Sequence, residues 1–151
     1  MSWNVLNDQI KTKLEQITNI SNVYDFAWLD FDGFPAATIT PSAFESDYQS
    51  NIENQRKYVF TIRLFHKIDV ISAKPSEKER VEEAFRVMRG LIDTVVDSFD
   101  KDETMSGIVL PAGKTMVGVI PVPTNISYFP EEKIIVGEVI LNVKILFDTT
   151  V

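Results

Sequence analysis

Apolar positions recur along this chain with a period that changes several times, and each change marks an element. Trp3, Leu6, Ile10, Leu14 and Ile17 are spaced by three and four, which places them on one face of a helix over residues 3–17. Asn7, Lys11, Lys13 and Glu15 fall largely away from that stripe, and Asn19 with the Ser21-Asn22 pair supplies the stop. Over residues 23–29 the period drops to two, with Tyr24, Phe26 and Trp28 on one side of an expected strand. Asp32-Gly33 follows as a hairpin turn signal, because glycine supplies the positive φ that tight turns need. Residues 35–40 then return as a second strand, and Pro35 suits a strand start or an edge because it has no N–H for the ladder.

The interval 42–57 (SAFESDYQSNIENQRK) loses this regularity and reads as a long, polar, structureless arm. Connections of that length are uncommon in a compact domain unless they are functional or disordered. Regularity resumes at residues 58–68. Tyr58, Phe60, Ile62 and Leu64 share one face while Val59 and Phe65 put apolar bulk on the other, the signature of a central strand covered on both sides. A long helix is expected over residues 77–99. Ser76 and Glu79 have capping-box spacing, and Val81, Ala84, Phe85, Met88, Leu91, Ile92, Val95, Val96 and Phe99 keep the 3.6-residue period. Its length is roughly 35 Å at 1.5 Å per residue.

A polar connection over 100–113 leads to a hairpin of two strands, 116–129 and 134–147, joined by residues 130–133. Pro121 and Pro123 remove two ladder donors from the first strand, so an edge, a bulge or a bend is expected there. These elements define an α+β fold: a mixed or mostly antiparallel sheet with two helices packed on one face, plus a long arm and a long C-terminal hairpin. At 151 residues the expectation is a single domain, 1–151, with the arm extending at about 42–57.

Composition removes several kinds of chemistry. The chain has no cysteine, which excludes disulfides, thiolate catalysis and thiolate metal sites. Its first residues lack a basic region followed by an apolar one, so no signal peptide is expected, and no apolar run approaches the ~18 residues of a membrane span. Fifteen Lys and Arg residues against 22 Asp and Glu residues give a net charge of −7. Tight nucleic-acid binding needs clustered cations to displace counterions, and here the cations are dispersed.

Candidate chemistry is sparse. His66 is the only histidine, and a base without a strained nucleophile or an orienting group reads as a hydrogen-bonded strand-end residue. Asp30, Asp32 and Gly33 match only the first fragment of a calcium loop, and a turn accounts for them. Asp97, Asp100, Asp102 and Glu103 form an acidic cluster at a helix C-terminus, where the dipole favours cations; a metal or a basic partner would relieve it, and a solvated acidic loop is the plainer reading. No phosphate-binding glycine loop is present. The sequence therefore assigns no catalytic residue, no metal ligand and no cofactor. Phe44 and Tyr48 differ from the core aromatics in lying within the polar arm, where large apolar side chains suggest docking on a partner.

The succession of elements, together with GFPAA starting at Gly33 and NQRKYVFTI starting at Asn54, resembles the tail terminator proteins of long-tailed, siphovirus-type bacteriophages and the related neck and tail-completion proteins. The resemblance implies a structural virion protein without enzymatic activity, assembled in the host cytoplasm. It would form a homo-oligomeric ring, a hexamer, at the head-proximal end of the tail tube. Its partners would be further copies of itself, the tail tube protein and a head-side connector or neck protein, with DNA passing through an acidic lumen without specific binding. The arm and the last hairpin are the natural suppliers of subunit or partner contacts, and the interface residues expected there are Phe44, Tyr48, Ile52, Arg56, Pro121, Pro123, Tyr128 and Phe129. A neck or head-completion role in the same particle is the nearest alternative. A reading of a different class, a ligand-binding or enzyme domain with its pocket between the long helix and the sheet, rests on His66 and the acidic cluster.

Overall fold

The computed structural model describes residues 2–48, 53–68, 76–102, 105, 110 and 113–148. The elements are α1 (Ser2–Glu15), β1 (Asn22–Tyr24), β2 (Ala36–Tyr48), β3 (Glu53–Lys67), α2 (Glu77–Asp100), β4 (Lys114–Phe129) and β5 (Ile134–Asp148). The strands form one mixed sheet in the order β1-β2-β3-β5-β4. β1 runs parallel to β2, and the other pairings are antiparallel. This is the α+β architecture expected from the pattern, with β3 at the centre and the proline-bearing β4 at an edge.

Register explains where the core sits. Ile39, Ile62, Val139 and Pro123 stand side by side across β2, β3, β5 and β4, so one face of the sheet carries continuous apolar rows. Both helices pack on that face. α1 contributes the buried Leu6, Ile10 and Leu14, and Trp3 sets its ring edge-on to Tyr58 and Phe60, at centroid distances of 4.7 and 5.1 Å. α2 contributes Ala84, Met88, Leu91, Ile92, Val95 and Phe99, all buried. The helix starts where the sequence marks it: the Glu79 backbone N–H donates to Ser76 Oγ at 3.2 Å. Glu77 and Glu79 add negative charge to the first turn, where the dipole favours it.

Two expectations need correction. Residues 23–40 do not form a hairpin. β1 is only three residues long and pairs parallel with β2, Val23 opposite Ala37. The aromatics that mimic a strand by alternation leave the sheet and cluster over its other face. Phe31 stacks on Phe65 at 4.7 Å and touches Tyr24 and Phe34, each at 5.7 Å. Residues 25–35 therefore form a loop that carries the chain back to the level of β1 before β2 begins. Its base is tied by the Ser21 N–H to Pro35 O, 2.8 Å, and by the Ser21 hydroxyl to Phe34 O, 3.0 Å.

The second correction concerns the polar arm. Residues 42–48 continue β2 and residues 53–57 continue β3, in register down to Tyr48 opposite Asn54. β3 is in turn paired with β5 down to Glu53 opposite Asp148. A strand is held by its backbone ladder, so polar side chains do not prevent it where a paired strand satisfies N–H and C=O groups. A register shift between Pro41 and Ala43 accommodates the proline. Residues 49–52, which link the two strands, lie outside the described residues.

Candidate assembly surfaces

The sequence-derived interface residues do not form one site. Phe44 and Tyr48 occupy the distal part of β2, opposite Tyr58 and Asn54 in register; their side chains, and Ile52 altogether, lie outside the described residues. Arg56 sits in β3 opposite Ile145 and is half-buried. Pro121 is buried and faces the helices opposite Leu141, so it packs within its own chain. Pro123 and Tyr128 are brought together along one edge, where β4 meets α2: the Tyr128 ring stands 6.2 Å from that of Phe85, and both residues line grooves there. Phe129, the last residue of β4, belongs to the opposite face of the sheet and is exposed.

Two adjoining grooves run between α2 and β4. The first, of about 660 Å³, has Val81, Phe85 and Tyr128 in its lining, with Glu77, Lys78, Glu82, Arg86 and Arg89 around them. The second, of about 500 Å³, shares Arg89 and continues past Ile92, Pro123 and Ile126, with Asp93 beside them. They form a concave, largely apolar strip with charge confined to the α2 side.

At the other edge of the sheet lies a surface that sequence reasoning missed. Phe26, Trp28 and Leu29 in the loop after β1 are 50%, 42% and 83% exposed. Phe26 and Trp28 stack edge-to-face at 5.6 Å, and the Trp28 indole N–H donates to Asp30 O at 2.6 Å. The loop thus holds its aromatic residues outward by its own contacts. Asp25, Asp30 and Asp32 punctuate this apolar run. That interruption, together with the adjacent Trp28 and Leu29, is the signal in the sequence that the segment does not alternate as a strand should.

The two features that suggested chemistry lie apart, at His66 in β3 and at the C-terminal end of α2. His66 lies on the helix face opposite Ile135 and lines a groove of about 530 Å³ with Asn19, Pro35, Arg86 and Thr94 among its neighbours; among the described residues that lining contains no carboxylate. In the acidic cluster, Asp102 receives Lys13 Nζ of α1 at 2.8 Å, and the same ammonium stands 5.4 Å from the Phe99 ring centroid. A cation of the same chain therefore reaches the negative end of α2, and among the described residues no group of three or more acidic or histidine side chains is arranged to hold a metal. Fully buried ion pairs cost about 3–5 kcal/mol when one partner is removed. Asp102 retains 20% exposure, so Asp102→Ala is expected to cost less, about 2 kcal/mol. Urea denaturation checks this, with Lys13→Met/Asp102→Leu expected to recover most of the loss; unchanged stability in Asp102→Ala would mean that the pair contributes nothing.

No protein-family model matches the chain, and no curated protein matches it in sequence. Its fold is similar to that of a solved chain from the virion of a native gene transfer agent particle. The likeness has a TM-score of 0.65 and 12% sequence identity, and covers 93% of this chain and 94% of that one. At this identity the likeness establishes a shared fold.

Proposed function

We propose that this chain is a structural virion protein, a tail terminator that forms a ring at the head-proximal end of a phage tail tube. The observation that carries the reading is the fold shared almost end to end with a chain from a virion. In the ring, copies contact one another in a hexamer, one face meets the tail tube protein and the other meets the head-side connector. The acidic balance of the chain suits a lumen through which DNA slides without being held. The ligand-binding or enzyme reading has less behind it, because Asp102 is engaged by Lys13 and the described residues of the His66 groove include no carboxylate.

Purified protein mixed with tail tubes and imaged in negative stain tests the proposal. The expected result is a ring capping one end of each tube and a narrow distribution of tube lengths. Protein that binds connectors but never tube ends would instead make it a neck or head-completion component. Protein that remains monomeric and binds neither would overturn the virion reading.

A further inference from the structure

We propose that copies of this chain join head to tail by seating the aromatic loop of one subunit, residues 25–32, in the groove between α2 and β4 of the next. The inference rests on the ring reading above and adds to it which surfaces meet.

Three observations converge on a second copy as the occupant. First, the loop follows β1 and the groove borders β4, at opposite edges of the same sheet. The Phe31 end of the loop lies on the face of the sheet away from the helices and the groove lies on the helix face, so a subunit does not fill its own groove with its own loop. Two different patches at opposite ends of one molecule make a heterologous contact, the kind that closes into a ring when the rotation is right.

Second, the shapes and polarities match. Phe26, Trp28 and Leu29 project from the loop, while the groove presents Val81, Phe85 and Tyr128 in a hollow of about 660 Å³, within the size range of sites that bury most of a ligand. Third, the charges are complementary. The loop has Asp25, Asp30 and Asp32, and no Lys or Arg occurs between residues 22 and 35. Among its described residues the first groove has Lys78, Arg86 and Arg89 against Glu77 and Glu82, one cation in excess in a chain whose net charge is −7, with Asp93 in the adjoining groove. Arg86 and Arg89 are exposed, and arginine forks pair well with carboxylates.

Addition of a strand at this edge is disfavoured by β4 itself. Pro121 and Pro123 lack ladder donors, and the register shifts between Met116 and Gly118 and again between Pro123 and Asn125; such devices blunt an edge against pairing. Side-chain insertion beside the edge avoids that obstacle.

The absence of cysteine makes a direct test available. With Leu29→Cys and Glu82→Cys in one chain, mild oxidation during assembly is expected to give a ladder of covalent multimers ending at the ring number, whereas either single-cysteine variant stops at dimer. Leu29→Asp is expected to weaken self-association by about tenfold or more, as loss of a central apolar anchor does, while its melting temperature stays that of the parent because Leu29 is 83% exposed. If the parent caps tubes while the double-cysteine chain gives no ladder and Leu29→Asp assembles normally, this contact is wrong and the ring reading stands. If the parent stays monomeric alone and with tubes, both fall.

Discussion

Phe60→Ala is expected to remove about 3–5 kcal/mol of folding stability, the range for truncating a buried aromatic. Phe60 is fully buried at the centre of β3, the middle strand of the sheet. Leu141 lies opposite it on β5, and the Trp3 ring meets it edge-on at 5.1 Å. The phenyl ring is thus shared between the sheet and α1. Its loss opens a cavity bounded by a strand paired on both sides, which cannot collapse, and by a helix held to the sheet at several other points. Proteins of this size are stable by only about 5–15 kcal/mol, so the variant sits near the threshold for folding. Equilibrium urea denaturation measures the effect as a fall in midpoint at unchanged slope. Val59→Ala is the internal control. Val59 is the adjacent residue on the other face and only half-buried, and its truncation is expected to cost about 1 kcal/mol or less. Equal losses at the two positions would show that the helix face is not where the sheet is held.

That contrast between neighbours was legible in the sequence. The alternation of Tyr58, Phe60, Ile62 and Leu64, the 3.6-residue period of both helices and the Ser76 cap each report a local periodicity that tertiary packing reinforces. What the sequence hid was non-local. β1 is three residues long, too short to have a period, and its parallel pairing depends on where residues 25–35 return. The tyrosine, phenylalanine and tryptophan at alternate positions there imitate a strand, yet the Phe31–Phe65 contact bends the segment over the sheet. The polar residues 42–57 misled in the opposite sense. Without an apolar stripe they resemble a loop, but residues 42–48 are laddered to β3, and residues 53–57 to both β2 and β5, in spite of their side chains.

The interface residues expected from the sequence scatter in the structure. Pro123 and Tyr128 line two adjoining grooves between α2 and β4. Pro121, two residues before Pro123, shares the helix face of β4 opposite Leu141; identical alternation yields one buried and one exposed proline. Alternation sets Phe26 and Trp28 on one side of an expected strand, yet they and Leu29 are exposed, because composition does not tell which apolar residues a fold leaves outside. The loop and the groove gain meaning only together, from the strand order that sends them to opposite edges.

Gly137→Val is expected to cost about 3 kcal/mol, at the upper end of the usual penalty for overpacking a core. Glycine weakens a strand interior, and where it occurs there a close approach often requires it. Here the approach is measurable: a Cβ on Gly137 would lie 2.6 Å from Met88 Sδ and 2.8 Å from Ile92 Cδ1. α2 therefore rides directly on the backbone of β5 at this point. The methionine can swing aside, but Ile92 is β-branched and buried on α2, so it yields less readily and part of the strain falls on the helix. Because Met88 and Ile92 share the obstruction, Gly137→Ala combined with Met88→Ala is expected to cost less than the sum of the two single changes, by about 0.5–3 kcal/mol as for residues in direct contact. Strict additivity would show that α2 does not bear on Gly137. Gly90→Ala supplies the opposite sign. That glycine is on the exposed side of α2 with nothing within 4 Å of an added Cβ, so alanine is expected to stabilise by about 0.5–1 kcal/mol. The two glycines separate a spacer from a tolerated helix breaker. The spacer also bears on assembly: Phe85 and Arg89 lie on the same stretch of α2 and line the groove against β4. Lifting the helix at Gly137 would widen that groove, so Gly137→Val protein that remains folded at low temperature is expected to lose self-association while Gly90→Ala keeps it.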